Sequence, residues 1–177
     1  MPRPKRPQHY YDEIKDKFRE ERNLRLGYRP PGTDQYTSEL SGDLAKYAVD
    51  PYAKDVPTRE PITDEVEVLF IGGGFSALLT SARLRERGLE SIRIVERGSD
   101  VGGTWYWNRY PGAACDVVSY DYLPLLDELD YVPVNHYSRG PEIFSHCQAI
   151  AHKYNLYDLA VFNTTVTETR WDQTDQL

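Results

Sequence analysis

VEVLFIGGGFSALLTSARLRERG, residues 66–88, is the stretch that decides the fold. Residues 66–71 are nearly all apolar and β-prone, which predicts a strand buried on both faces of a parallel sheet. Three glycines follow without a gap, and the apolar stripe of residues 75–87 predicts a helix. With a second strand expected at residues 91–95, the pattern indicates one βαβ unit.

The glycine-rich turn inside this unit fits the pyrophosphate of a dinucleotide. It reads Gly72-Gly73-Gly74-Phe75-Ser76-Ala77, a GxGxxA pattern between a predicted strand and a predicted helix. Gly72 permits a tight turn, Gly74 lets the backbone approach a pyrophosphate, and Ala77 lets the helix pack on the strand. The start of the helix then points its free N–H groups at the phosphate.

Glu96 follows Gly74 by about 20 residues, at the end of the second predicted strand. A carboxylate in that place can accept hydrogen bonds from ribose hydroxyls. It would repel a 2′-phosphate, so the pattern favours FAD or NAD over NADP at this site. The alternative is a purely structural turn with Glu96 facing solvent.

A second glycine-rich segment follows Glu96 and carries a cluster of aromatic residues. Residues 98–112 read GSDVGGTWYWNRYPG. Gly102 and Gly103 let backbone amides face an anion or a ring, and aromatic rings such as Trp105 supply flat apolar walls. Two interpretations stay open: a loop that lines the far end of an extended cofactor, and a tryptophan-rich corner of the core.

The composition narrows the class of protein. The 177 residues contain 21 Lys and Arg against 28 Asp and Glu, a net charge of −7, which argues against nucleic acid and anionic membranes as partners. No apolar run approaches the ~20 residues of a membrane span. Two cysteines do not make a disulfide framework, so we expect a reducing, cytoplasmic location. The four histidines have no metal-ligand spacing with the cysteines, and no metal site is predicted.

Three zones follow one another along the chain. Residues 1–50 are charged and tyrosine-rich, with helices predicted at residues 10–26 and 39–48. Residues 51–64 carry three prolines without periodicity and predict an extended linker, and residues 65–177 form the α/β domain. For the first zone, both an arm that binds a partner or shapes the substrate site and a solvated helical extension on a larger body stay open.

The last part of the α/β domain predicts a helix over residues 142–154 and a strand over residues 161–169. Residues 172–177 fit the tip of a hairpin whose partner strand does not follow. An unpaired strand edge is a liability for a free-standing domain. We therefore expect an α/β, Rossmann-like unit that is incomplete and belongs to a longer protein.

Four segments of the chain resemble the flavoprotein Baeyer–Villiger monooxygenases. They are GGGFSALL (72–79), IVERGSDVGGTWYWNRYPGAACDVVSYDY (94–122), GPEIF (140–144) and FNTTVTE (162–168). The zone before the linker also resembles the N-terminal extension of a subset of these enzymes. The resemblance implies the N-terminal, FAD-binding part of an enzyme with two dinucleotide-binding domains. Such enzymes reduce FAD with NADPH and use O₂ to convert a small ketone into an ester or lactone.

The resemblance also implies roles for individual residues, by matched motif position. The implied FAD contacts are Gly72, Gly74, Ser76, Glu96, Gly102, Gly103, Thr104, Trp105, Asp116, Tyr122 and Val166. Asp116 would also have a supporting catalytic role, because a carboxylate near the flavin can orient an arginine; the alternative is a turn aspartate that caps a local amide. Ala114 and Cys115 match a segment that approaches NADPH, and Cys115 is expected to be a small buried residue.

Neither the family's second dinucleotide fingerprint, for NADPH, nor its catalytic arginine is found in the 177 residues. Two classes of function therefore stay open. The chain is either the N-terminal part of an FAD- and NADPH-dependent monooxygenase or a non-catalytic FAD-binding fragment or interaction module. In both cases we expect the isolated chain not to oxidise ketones.

Overall fold

The computed structural model describes residues 7–27, 41–53 and 58–172. The chain divides into two compact units, with the boundary between Val49 and Asp50. The first unit is helical, and the second contains a parallel β-sheet with helices. The expected α/β fold preceded by a helical N-terminus is therefore confirmed.

Helix α1 of the first unit spans Gln8–Gly27, as the periodicity predicted. None of its residues is buried, and the apolar stripe of Tyr11, Ile14 and Phe18 is exposed. The polar faces carry opposite charges three or four residues apart, such as Asp16 with Arg19.

The second predicted helix of the first unit is shorter and tighter than expected. A 3₁₀ helix spans Gly42–Ala48, and residues 39 and 40 lie outside the described part of the chain. Gly42 has a positive φ of 58°. A glycine in that conformation disfavours a regular α-helix, which explains why only a short 3₁₀ segment forms.

The second unit contains a three-stranded parallel sheet in the order β1-β2-β3. Strand β1 (Val68–Ile71) pairs with β2 (Ile92–Val95), and β2 pairs with β3 (Ala160–Val161). Helix α2 (Phe75–Glu86) connects β1 to β2 and gives the predicted βαβ unit. The carboxyl end of β1 thereby meets the N-terminus of α2 at the glycine-rich turn.

The prediction that the first strand is buried on both faces is wrong. Leu69 and Ile71 are 51% and 61% exposed, whereas Val68 and Phe70 are partly covered. Phe70 packs against the core, so one face of β1 is covered and the other is not. An apolar run alone does not reveal which of its alternate side chains will meet a second layer.

The core lies between the sheet and helices α2 and α6 (Gly140–Lys153). Its fully buried side chains include Leu78, Ala82, Ile94, Val101, Cys147, Ile150 and Leu156. Burying a Leu or Ile side chain contributes about 1.5–3 kcal/mol, so this cluster fixes α2 against the sheet. Helix α6 confirms the helix predicted near residues 142–154, and Pro141 stands in its first turn, where proline is favoured.

The third strand is much shorter than the predicted residues 161–169. Only Ala160 and Val161 pair with β2, and the chain then leaves the sheet. Asn163 has a φ of 52°, and the N–H groups of Asn163 and Thr164 donate to Gly98 and Glu96. Because these donors bond to the loop after β2, the segment does not continue as a strand. The predicted hairpin tip lies largely outside the described residues.

Three four-residue helices connect β2 to α6: α3 (Thr104–Trp107), α4 (Ser119–Tyr122) and α5 (Leu126–Leu129). They pack on a second apolar cluster of Trp105, Leu123 and Ile143. This cluster fixes the aromatic segment beside the start of α2.

Candidate functional site

A cleft of about 460 Å³ lies at the carboxyl end of β1 and the N-terminus of α2. Most of the residues predicted to hold FAD line it, namely Gly72, Gly74, Ser76, Gly102, Gly103, Thr104, Trp105 and Tyr122. Phe70, Ile71, Phe75 and Ala77 complete the lining. The structure therefore brings the two glycine-rich segments together in one cleft.

The start of α2 gives the cleft an anion-attracting wall. The first helical hydrogen bond runs from the N–H of Leu78 to the carbonyl of Gly74, 3.0 Å. The N–H groups of residues 75–77 precede this bond, so they have no acceptor within the helix. Together with the positive end of the helix dipole, these donors suit a phosphate group.

The two glycine-rich loops pack directly on each other. The N–H of Gly102 donates to the carbonyl of Gly73, 2.9 Å. Gly103 has a φ of 52°, and a Cβ atom there would lie 2.9 Å from the Cα of Gly74. Gly103 is therefore required by loop packing, a constraint that the motif alone does not show.

Glu96 connects the same two loops through hydrogen bonds to its carboxylate. It is 5% exposed, so the solvent-facing alternative is wrong. One carboxylate oxygen accepts the N–H of Gly73 at 2.5 Å and the other accepts the N–H of Gly98 at 2.6 Å. Glu96 does not itself line the cleft. A carboxylate offers about four acceptor positions, so acceptor capacity remains beyond these two bonds.

Aromatic side chains form the wall opposite α2. The indole N–H of Trp105 donates to the hydroxyl of Tyr122, 2.9 Å, and the two rings meet edge to face. Phe75 of α2 contacts Tyr122 in the same way, with ring centroids 5.5 Å apart. Burial raises the pKa of the Tyr122 hydroxyl, which therefore stays protonated and can donate a hydrogen bond.

The other predicted site residues do not line this cleft. Asp116 is exposed, and Ala114 forms an antiparallel bridge with Arg139. Cys115 is only half-buried, so the expectation of a buried cysteine is wrong, whereas Cys147 is buried. Val166 is half-buried in the irregular segment after β3.

Sequence reasoning missed Asp50, which hydrogen-bonds to Tyr106 and Ser99 behind the cleft. The only local signal is the Asp-Pro pair at residues 50–51, which is typical of a turn. Among the described residues, no cluster of His, Cys, Asp and Glu is suited to a metal ion. None of the helices there has the length and apolar character that a membrane crossing requires.

The fold and the cleft are those of the Rossmann-like class of domains. Residues 71–126 match the family described as the NAD(P)-binding Rossmann-like domain. This range contains the glycine-rich turn, Glu96 and the aromatic segment.

Comparison with known proteins narrows this class. The chain is 46% identical over 161 residues to a Baeyer–Villiger monooxygenase of Streptomyces coelicolor, covering 91% of the chain and 26% of that relative. A polycyclic ketone monooxygenase from the thermophilic fungus Thermothelomyces thermophila superposes with a TM-score of 0.74 at 34% identity, covering 92% and 28% of the two chains. OTEMO in complex with FAD and NADP gives 0.58 at 29% identity, covering 62% and 21%.

Over the part that it spans, the chain is similar to Baeyer–Villiger monooxygenases in both sequence and structure, which confirms the resemblance. It spans about a quarter of the length of the curated relatives that it matches.

Proposed function

We propose that this chain is the FAD-binding part of a flavin-dependent monooxygenase that inserts oxygen into ketones. The cleft between the start of α2 and the Gly102–Trp105 loop carries this proposal, because it joins phosphate-binding amides to a flat aromatic wall. The similarity to Baeyer–Villiger monooxygenases and the FAD in the structure of OTEMO support the same cofactor.

The proposed contacts differ in the part of FAD that each would meet. The amides at residues 75–77 would hold the pyrophosphate, with the Ser76 hydroxyl as a further donor. Glu96 would accept from the adenosine ribose with its remaining lone pairs. Gly102, Gly103 and Thr104 would face the cofactor with backbone, and Trp105 and Tyr122 would bound it on the flavin side.

The residues present fit this cofactor in charge and shape. The first turn of α2 carries no acidic residue, so the pyrophosphate meets no repulsion there. Both loops are glycine at their nearest approach, Gly74 and Gly103, so no side chain projects between them. When bound, FAD supplies the redox chemistry, taking electrons from NADPH and passing them to O₂.

The remaining predicted roles belong to the proposal as well. Asp116 would have its supporting electrostatic role, and Val166 would contact the adenine through its backbone. Ala114 and Cys115 would approach NADPH, most of whose site lies outside this chain. A small ketone and O₂ would be the substrates, in the cytoplasm.

Titration of the purified chain with FAD tests the proposal, with flavin fluorescence as the signal. We expect saturable binding of one FAD, and competition by ADP, because the cleft recognises the ADP half. FMN lacks the adenosine and one of the two phosphates of this half, and it is the control ligand that should bind far more weakly. Equal binding of FMN and FAD, or no binding of either, would contradict the proposed function.

A further inference from the structure

We propose that Asp50 is a positioning residue for the dinucleotide cleft: its carboxylate holds the loop after β2 and helix α3 together from behind. The inference rests on the proposed function. Asp50 precedes the glycine-rich turn by more than twenty residues and belongs to none of the cofactor motifs.

The contacts of Asp50 join two segments that border the cleft. Its Oδ2 atom accepts the hydroxyl of Tyr106 at 2.5 Å, the hydroxyl of Ser99 at 3.1 Å and the N–H of Ser99 at 3.2 Å. Its Oδ1 atom accepts the N–H of Tyr52 at 2.8 Å, which closes a local turn. One side chain therefore satisfies four donors, three of them on cleft-bordering segments.

Tyr106 transmits this contact to the cleft. Tyr106 is 1% exposed. Its ring packs against Gly98, where an added Cβ atom would lie 2.7 Å from the ring. Its neighbour Trp105 lines the cleft, and the N–H of Tyr106 bonds to the carbonyl of Gly103. Holding the Tyr106 hydroxyl thus fixes α3 while Trp105 faces the cofactor site.

A second contact from the same segment reinforces the first. The Tyr52 ring meets the Tyr106 ring edge to face, with centroids 5.7 Å apart. The guanidinium of Arg109 lies 4.0 Å from the Tyr52 ring centroid, and its Nε–H donates to the carbonyl of Tyr106. Asp50 and Tyr52 therefore clamp the end of α3 from two sides.

The electrostatics of this pair suit a permanent contact. Burial alone would raise the pKa of Asp50, but the donors on Tyr106, Tyr52 and Ser99 lower it below its ordinary value. Burial and the neighbouring carboxylate raise the pKa of Tyr106. At neutral pH an ionised carboxylate therefore faces a protonated phenol, and such charge-assisted bonds are the strong ones.

Hydrogen exchange of the flavin-free full chain tests this inference. Asp50→Asn keeps the size of the side chain but turns an NH₂ group toward existing donors. We expect the amides of Tyr106, Trp107 and Asn108, which are bonded within α3, to exchange about ten-fold faster. FAD affinity should fall by a similar factor, about ten-fold.

Glu142→Gln is the matched control. Glu142 also accepts a tyrosine hydroxyl and a backbone N–H, from Tyr131 and Val134, but neither residue belongs to the loop after β2 or to α3. It should leave exchange in α3 and the FAD affinity unchanged. An Asp50→Asn protein whose α3 amides exchange like those of the control would overturn the inference.

Tyr106→Phe provides a second variant for the same contact. We expect each single change to accelerate amide exchange in α3. The double change should add little to either single change, because both substitutions remove the hydrogen bond between Asp50 and Tyr106. If the two substitutions accelerate exchange additively, Asp50 does not act through its hydrogen bond to Tyr106. Exchange is measured without flavin, so a wild-type chain that fails to bind FAD contradicts the proposed function only, and the exchange rates still decide on Asp50.

Discussion

Glu96 has a structural role that can be separated from its proposed contact with ribose. Its two oxygens accept N–H groups from Gly73 and Gly98, which lie in different loops. Loss of a partner for a buried donor costs about 1–3 kcal/mol. Any substitution at this position therefore affects stability as well as ligand binding, and both have to be measured.

Glu96→Gln and Glu96→Ala should both weaken FAD binding, by about ten-fold or more, because the ribose loses a carboxylate acceptor. The alanine variant should also unfold at a lower temperature, since it leaves two buried N–H groups unpaired. FAD titration and thermal unfolding of each protein measure the two effects. Glu90→Gln, at an exposed carboxylate before β2, is the control. FAD affinity equal to wild type in both Glu96 variants would show that the ribose assignment is wrong.

His146 is a buried titratable side chain of α6. It is 3% exposed, and its Nε2–H donates to the carbonyl of Pro124 at 2.7 Å. Burial lowers the pKa of His146 below its ordinary value of 6.5, against smaller opposing effects of Pro124 and Glu142. The folded protein therefore resists protonation of a group that the unfolded chain protonates readily.

The contribution of His146 to stability should be complete above pH 6.5 and should decline as the pH falls toward the lower folded-state pKa. Urea unfolding between about pH 7 and pH 5 measures this loss. His146→Gln keeps an N–H donor without a titrating group, so its stability should depend less on pH in this range. Parallel pH profiles for the two proteins would be inconsistent with a buried neutral histidine.

At the scale of elements, the contact between two loops determines the cleft. The turn before α2 and the turn before α3 approach so closely that Gly103 has no room for a Cβ atom. Gly112 also has a positive φ, of 87°, but a Cβ atom there would meet nothing within 4 Å. These two glycines therefore share a positive φ, and only at Gly103 would a Cβ atom clash with a neighbouring residue.

Gly103→Ala should weaken FAD binding much more than Gly112→Ala. Both variants force an alanine to a positive φ, which costs about 1–3 kcal/mol, and thermal unfolding should show a loss for each. Only the change at Gly103 forces the loops apart and moves Trp105. If both variants bind FAD equally well, the loop contact does not shape the site.

The sequence was sufficient for elements whose signal is local. The apolar run, the glycines and the amphipathic stripe lie side by side, and the structure contains the βαβ unit that they predict. Exposure of Leu69 and Ile71 depends on which face of the sheet another layer covers, which no local pattern records. The short third strand depends on bonds from Asn163 and Thr164 to a distant loop.

The same distinction applies to the site. The motif positions Gly72, Gly74 and Ser76 line the cleft, as their pattern predicted, because strand, turn and helix are contiguous. Asp50 and Tyr106 are 56 residues apart, and their contact arises only from the folded chain. Positions such as Asp116 stay predictions, since no described contact brings them into the cleft.

At the scale of the whole molecule, the 177-residue sequence contains one glycine-rich dinucleotide turn. The chain spans about a quarter of the length of the matched relatives. We therefore expect the purified chain to bind FAD without oxidising ketones. Incubation with FAD, NADPH and a cyclic ketone, followed by product analysis, should give no lactone. A full-length family member in the same mixture is the control, and NADPH-dependent lactone formation by the chain would disprove this expectation.

The central claim is that the turn before α2 and the loop before α3 together bind FAD. An amide NMR titration of the isotope-labelled chain with FAD tests it most directly, because it reports each position separately. The account predicts saturable shifts for the amides of residues 72–77 and 102–105, with little change near Tyr131 and Val134. Saturating FAD that leaves the amides of these two segments unshifted would contradict it.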